Sequence, residues 1–538
     1  MISRRQLLRN SAVALAATAA PTLAQAKPAK QPNILLCIAD DVSWRHLGAH
    51  GCSWVKSPAF DRVAKEGLLF NRAYTPNAKC APSRACVLTG RNSWQLEEGA
   101  NHWCHFPAKF KSYPEALSEN GYFVGYTGKG YGPAIVKTVD GKPRDLLVRR
   151  YAKRTAKPPA RGMSACDYAA NFNDFLKARP KDKPFCFWYG GHEPHRGYEF
   201  KAGIKYGGKK LTDIDAVPKF WPDNDTVRTD MLDYAFEIEH FDKHLGKMLK
   251  LLEAAGELEN TLIVVTSDNG MPFPRVKGQA YEYSNHLPMA IRWGAGIAKP
   301  GRAIDDFVSF IDLAPTFLDF AGVKGSGGMQ SMPGKSLREI FESSKAGLVN
   351  AKNDHTLIGK ELHDVGRPGD VGYPIRGIVK GKFLYVKNFK PSRWPIGNPE
   401  AGYPNTDGSP TKTVCLKSRT QPGQEFFWAM NFGKRPAEEL YQIDTDAECL
   451  RNLAGDPHYA SIKAKLEAQM MEELTAQKDP RALGKGDVFE SYPYANARSR
   501  NYYERITNGK CKAGGWINAS DVEPLPSNKT RKKPAKKK

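Results

Sequence analysis

Beyond its first 26 residues the 538-residue chain contains no long uncharged apolar run, so nothing later in it has the pattern of a membrane span, and the mature protein is expected to be soluble. It has ten cysteines, none at zinc-site spacing and too few over this length for a small disulfide scaffold; their connectivity is not readable. No internal repeat is evident. Acid is scarce: 57 Asp and Glu stand against 80 Lys and Arg, a formal net charge of +23. Such a field favours polyanionic partners and makes association salt-sensitive. Charge alone does not choose among sulfated glycans, nucleic acids and anionic membranes, but no aromatic stacking pattern or nucleic-acid fold makes a specific case for DNA or RNA. What is present is ordinary for a globular protein, 41% hydrophobic and 25% charged, and long enough for one large domain and a smaller one.

The two ends read as something other than fold. Residues 1–26 carry twin arginines, Arg4 and Arg5, then an Ala-rich apolar run and a small-x-small cleavage site at Ala24-Gln25-Ala26. This is the pattern of a twin-arginine export signal, so a periplasmic or secreted protein, exported folded, is expected. Removing it takes away Arg4, Arg5 and Arg9 and no acid, which leaves +20. At the other end Lys529 to Lys538 is a basic run, expected to be a solvated tail.

Three near-continuous apolar runs, Asn33 to Ala39, Phe185 to Tyr189 and Thr261 to Thr266, suit central parallel strands covered by helices on both faces. In open α/β sheets the site lies at the carboxyl ends of such strands. Asp40 and Asp41 follow the first run, Asp268 and Asn269 the third. Adjacent carboxylates repel unless a cation lies between them, so these three acids and one amide oxygen form a candidate hard-cation site of the calcium kind. Taken alone, Asp40-Asp41 would be read first as an N-cap pair for the following helix, and the Cys80 stretch downstream reverses that weighting. His192 and His195 follow the second run and could be ligands, a general acid or polar loop residues. Beyond about residue 354, residues 375–379, 382–386 and 439–443 read as strands and 460–477 as an amphipathic helix, which suggests an α+β subdomain with an antiparallel sheet. The Gly- and Pro-rich stretch 394–410 reads as a long loop near the substrate entrance.

The chain is organised around Cys80-Ala81-Pro82-Ser83-Arg84-Ala85-Cys86-Val87-Leu88-Thr89-Gly90-Arg91. Pro82 suits a first helical turn and Gly90 a helix end. Cys80 then sits over the helix N-terminus, which favours an anion, and Arg84 adds a planar cationic fork for an oxyanion. The stretch matches C-x-P-S-R-x-x-x-L-T-G-R at every fixed position and so resembles the signature of the formylglycine-dependent sulfatases. The resemblance implies an α/β fold with a large mixed, mostly parallel sheet sandwiched by helices, alkaline-phosphatase-like, ahead of a smaller C-terminal α+β subdomain. We place the signal at 1–26, the catalytic domain at 27–353, the subdomain at 354–515 and the basic tail at 516–538.

In that family a maturase, the formylglycine-generating enzyme, oxidises the motif cysteine, here Cys80. The aldehyde hydrates to a diol that attacks sulfur and later expels sulfate, a covalent route in two easier steps. The resemblance further implies that Asp40, Asp41, Asp268 and Asn269 bind calcium, that Arg84, Lys129 and Lys277 contact sulfate, and that His192 protonates the leaving group. One departure stands out: most members carry a histidine two residues after the lysine, and this chain has Tyr131. With an unperturbed pKa near ~10, tyrosine is a poor base at neutral pH. The absence of a His-rich second site argues against the two-zinc phosphatases of similar architecture. The flanks, His192-Glu193-Pro194-His195-Arg196, Asp268 to Pro274, Leu362-His363 ahead of Tyr373 to Arg376, and Glu439-Leu440-Tyr441, are similar to those of heparan N-sulfatases, from about Asn33 into the 470s. The expected partner is thus a sulfated glycan, with N-sulfoglucosamine favoured over an O-sulfated polysaccharide. Tyr131, which could donate a hydrogen bond, is a substrate-binding candidate, as are His195, His363 and Arg367 by position. A phosphonate or phosphodiester hydrolase, and a non-catalytic glycan-binding protein, are the competing readings.

Overall fold

The computed structural model describes residues 31–525; the expected export signal and the basic run from Lys529 lie outside the described residues. Eight strands form the main sheet: β1 (Asn33–Ala39), β2 (Leu68–Tyr74), β3 (Phe123–Gly128), β4 (Phe185–Gly190), β5 (Thr261–Ser267), β6 (His286–Arg292), β7 (Arg302–Ile304) and β8 (Val308–Ser309). Their order is β8-β2-β6-β5-β1-β4-β3, with β7 also on β2. Every pairing is parallel except those of β6, which runs against both neighbours. The sheet is therefore mixed and mostly parallel, as expected. Strand β6 escapes a reading of apolar runs because Pro288 interrupts it and His286 and Arg292 bound it.

Alternation along the strands feeds two cores. Leu35 and Cys37 of β1, Phe187 and Tyr189 of β4 and Ile263 and Val265 of β5 face one cluster; Ile34, Leu36, Trp188, Leu262 and Val264 face the other. A strand apolar on both faces is what a helix-covered parallel sheet requires. On the first face lies the long helix Asp225–Ala254 (α3), whose Met231, Ile238, Leu245 and Leu252 recur at helical spacing. The second face receives the helix Cys80–Thr89 (α2) through Ala85, Val87 and Leu88. Ahead of both, Pro58–Lys65 (α1) has proline in its first turn.

The second sheet begins at His355: β9 (His355–Lys360), β10 (Ile375–Lys380), β11 (Phe383–Asn388) and β12 (Glu438–Gln442), antiparallel throughout. Helix Ala460–Ala476 (α5) covers one face with Leu466, Met470 and Leu474 against Ile378, Tyr385 and Leu440. The other face packs Val379, Leu384 and Tyr441 on Tyr74 and Phe307 of the large domain. The long loop before helix Pro410–Lys417 (α4) brings Asp407 to Lys277, at 2.9 Å. The chain placed with the tail from 516 is packed up to 523: Trp516 donates to the Pro404 carbonyl at 2.9 Å, buried Asp521 pairs with Lys412 at 3.1 Å, and Glu523 accepts from the Tyr403 hydroxyl at 2.7 Å. Among the described residues no helix is long and apolar enough to cross a membrane, and all ten cysteines are free thiols.

Candidate active site

The carboxyl ends of β1 and β5 lie side by side, with Ala39 opposite Ser267, so the residues that follow them must meet. Asp40 continues the strand; Asp41 turns out of it with φ of 80°, a left-handed conformation that Asp tolerates better than most residues. Both carboxylates are thereby presented to the same pocket. Donor oxygens of Asp40, Asp41 and Asp268 come within 4.8 Å of one another, and all three side chains are buried. At that spacing each pair of like charges costs about 3–4 kcal/mol at an effective dielectric of 20. Burial and the Asp40 charge accordingly push the Asp268 carboxyl up to about 7. Asn269 donates to Asp41 at 2.6 Å, while its side-chain oxygen, fully buried, has no hydrogen-bond partner. Three carboxylates and an orphaned amide oxygen are the donor set that a hard divalent cation takes, and these residues fit one.

Helix α2 begins at Cys80 itself, so Pro82 is its third residue, and Gly90 ends it at φ of 66°. The Cys80 thiol points from the helix N-terminus at Asp40, donating to its Oδ1 at 3.5 Å. Burial raises the thiol far above its ordinary range, so an unmodified Cys80 is protonated and a weak nucleophile. One turn on, Arg84 is completely buried. Its Nε binds Asp268 at 2.8 Å and its Nη1 binds the carbonyls of Lys129 and Gly130 at 3.1 Å each. Its Nη2, 3.7 Å from Asp40, has no hydrogen-bond partner, a donor left over in the pocket. Lys129, just past β3, reaches Asp40 at 2.5 Å. Lys277 lies between Asp41 at 2.7 Å and Asp407 at 2.9 Å. Burial works against both ammoniums, yet the facing carboxylates hold their pKa values above the ordinary lysine value.

The structure thus brings together Asp40, Asp41, Cys80, Arg84, Lys129, Asp268, Asn269 and Lys277. The two histidines divide. His195 is half-buried, with a ring nitrogen within 4.8 Å of both the Cys80 sulfur and an Asp40 oxygen; burial and Lys277 lower its pKa to about 4. His192 is exposed at the rim, its backbone N–H held by Tyr168 at 3.1 Å.

Three residues expected at the substrate are engaged within the protein. The Tyr131 hydroxyl meets the Cys104 sulfur at 3.4 Å and its ring packs edge-on against Phe106, so it does not stand in for the missing histidine. His363 is fully buried behind the nucleophile turn, where its Nε2 bonds Asn77 at 2.6 Å. Arg367, 1% exposed, donates to the carbonyls of Trp394 at 2.7 Å and Pro395 at 2.8 Å. A guanidinium spent on backbone carbonyls positions the 394–410 loop and has no fork to offer a sugar. Arg367→Met is therefore expected to destabilise the fold by about 3 kcal/mol, because it strands buried acceptors. Denaturant unfolding checks this, with KM for substrate unchanged in the folded fraction.

Sequence reading missed four residues around the pocket. Asp407 comes from that same loop. Lys79 pairs with Asp364 at 2.6 Å, and His102 meets the other Asp364 oxygen at 3.2 Å. Despite burial, Lys79 and His102 keep Asp364 ionised, and Lys277 and His195 do the same for Asp407. Adjacency to Cys80 and His363 was the available signal for Lys79 and Asp364; nothing local marked His102 or Asp407.

Comparison with known proteins agrees with this geometry. The chain matches the sulfatase family model over residues 32–323. It is 28% identical over 498 residues to the human N-sulphoglucosamine sulphohydrolase, covering 86% of this chain and 93% of that protein. It is 27% identical over 462 residues to an ulvan-active sulfatase of Formosa agariphila, covering 84% and 81%. A structure solved in complex with its substrate D-glucosamine-2-N,6-O-disulfate superposes with a TM-score of 0.59 at 21% identity, over 84% of this chain and 99% of the other. With a family match spanning more than half its length and a sheet edge that gathers the family's motif residues, the chain belongs to the sulfatases, hydrolases of the alkaline-phosphatase-like superfamily.

Proposed function

We propose that the protein removes sulfate from a sulfated sugar, with N-sulfoglucosamine at the end of a glycan as the favoured substrate and an O-sulfated polysaccharide as the second. The observation that carries the reading is the charge of the pocket. Asp40, Asp41, Asp268 and Asp407 carry four formal negative charges against three positive ones on Arg84, Lys129 and Lys277. That excess repels an anion. A divalent cation among the carboxylates reverses it to one positive charge, which complements a sulfate monoester. The all-oxygen donor set favours calcium over softer metals. Support for the N-sulfated sugar is the likeness to human N-sulphoglucosamine sulphohydrolase along nearly the whole of both chains.

Asp40, Asp41, Asp268 and Asn269 would hold the calcium ion, which supplies Lewis-acid stabilisation of sulfate oxygen charge when bound. Converted to formylglycine and hydrated, the Cys80 side chain would supply a hydroxyl nucleophile and a second hydroxyl able to expel sulfate. Arg84 contributes its unpartnered Nη2 to the sulfuryl oxygens, and the ammoniums of Lys129 and Lys277, fixed by Asp40 and by Asp41 with Asp407, contribute charge that is already oriented. His192, at the rim, is the candidate acid for the leaving nitrogen or oxygen. His195, beside the Cys80 sulfur, takes the proton-handling place that Tyr131 cannot fill. His195→Ala is expected to lower kcat by about 10²–10³-fold with little change in KM, and Tyr131→Phe to leave kcat within a few-fold. Steady-state kinetics on both variants would contradict the assignment by showing the reverse order.

Sulfate release from defined heparin, fucan, carrageenan and chondroitin fragments tests the substrate, with aryl phosphate as a parallel probe. Release from O-sulfated fragments with retention on N-sulfoglucosamine would remove the N-sulfatase reading. Preference for aryl phosphate over aryl sulfate would favour the phosphodiester alternative. Export by the twin-arginine route to the periplasm or medium follows from the leader Arg4-Arg5 and is read by localising the protein in cells with that route blocked.

A further inference from the structure

A second cleft, of about 610 Å³, opens beside the Cys80 pocket. That volume is in the range of sites that enclose small ligands. Its walls come from both domains: Arg161 and Phe200 from loops of the large domain, Thr413 and Lys417 from α4. Two of its lining residues, Arg196 and Gly408, directly follow His195 and Asp407 of the pocket. The residue that follows His195 into the cleft wall is held by an ion pair. Arg196 is clamped on Asp230 at 2.5 and 2.9 Å and lies over the Phe273 ring at 4.1 Å. Asp230 also accepts from the Thr411 hydroxyl at 2.6 Å, which fixes the wall formed by α4 against α3. The cleft is thus a built and braced extension of the site.

Its open side has the chemistry of a carbohydrate polyanion's complement. Phe200 is 47% exposed, a planar apolar face of the kind that sugar rings cover. Lys201 places its ammonium 6.0 Å over that ring. Arg161 and Lys417 are exposed, and among the described residues none of the three cations Arg161, Lys201 and Lys417 has a carboxylate within ion-pair distance. The lining acids, by contrast, are occupied: Asp230 as above, and Asp233 by the backbone N–H groups of Lys201 and Gly203 at 2.9 and 2.8 Å. Cations without partners and acids fully satisfied leave a cleft that selects anions.

We propose that this cleft binds the sugar residues next to the one in the Cys80 pocket, with Phe200 against a pyranose face and Arg161 and Lys417 on sulfate or carboxylate groups of a sulfated oligosaccharide. The inference rests on the sulfated-sugar reading of the pocket, and its test is kept separate from it. Binding is measured on the Cys80→Ala protein with a heparin-derived tetrasaccharide and with N-sulfoglucosamine monosaccharide. Adding Arg161→Ala, Lys417→Ala and Phe200→Ala should weaken the tetrasaccharide at least about tenfold, a loss of ~1.4 kcal/mol, and leave the monosaccharide unchanged. The slope of log Kd against log salt should flatten for the tetrasaccharide alone. The single charge reversal Lys417→Glu, on an exposed helix end, should act in the same direction in case the triple variant folds poorly. Equal Kd values for the tetrasaccharide before and after these changes, or equal weakening of both ligands, would overturn the proposal. Failure of the Cys80-bearing protein to release sulfate from any sugar would instead overturn the reading of the pocket, and the tetrasaccharide Kd would still decide the cleft.

Discussion

Cys80→Ala is expected to reduce sulfate release by on the order of 10⁴-fold or more, the scale seen when a covalent nucleophile is removed and the charge-stabilising groups remain. The reason is local. The pocket positions its cations around one reacting side chain, and the other thiol of the same helix, Cys86, is buried and raised well above the ordinary range. Cys80→Ser is a sharper version of the same experiment, because it keeps a hydroxyl at the position. If an ordinary serine restored more than a small fraction of the rate, conversion to the aldehyde hydrate would not be the source of catalysis. Mass spectrometry of the tryptic peptide carrying residue 80, read beside the kinetics, links activity to the converted fraction. Substrate binding should persist in both variants, since Arg84, Lys129 and Lys277 are held by Asp268, Asp40 and Asp41 and not by Cys80.

Removal of the divalent cation is expected to be nearly as damaging. Chelation should lower kcat/KM by about 10³-fold, several kcal/mol of charge stabilisation lost at the sulfuryl oxygens. It should also lower stability, because mutual repulsion of Asp40, Asp41 and Asp268 is then relieved only by Arg84, Lys129 and Lys277. Calcium at about a hundred times its Kd should raise the unfolding free energy by ~2.7 kcal/mol, visible in calorimetry without any substrate. Asp268→Asn should abolish this calcium-dependent increment. A thermal transition indifferent to calcium in the unsubstituted protein would count against the site, whatever the activity assays show.

Much of this was legible in the residues because the information was local. Apolar runs ending in acids located β1 and β5, and parallel pairing then forces Asp40 and Asp268 together whatever the loops do. The nucleophile stretch carried its own helix punctuation at Gly90. What could not be read was set by distant parts of the chain. Asp407 reaches Lys277 only because the 394–410 loop carries it there, and Arg367 was mistaken for a substrate contact because nothing near it in sequence shows the carbonyls of Trp394 and Pro395 that occupy it. His363 was misplaced for the same reason: its partner, Asn77, is 286 residues away. The placing of His195 beside Cys80 needed the turn after β4, which swings His195 inward and leaves His192 at the rim.

The central claim is that a side chain derived from Cys80 shares one pocket with a cation held by three carboxylates and an amide. Crystallography of the matured protein grown with calcium addresses it directly. The expected result is an ion at about 2.3–2.6 Å from an oxygen of each of Asp40, Asp41, Asp268 and Asn269, in contact with an oxygenated side chain at position 80. An unmodified thiol there in active protein, or an ion bound away from those four residues, would contradict it.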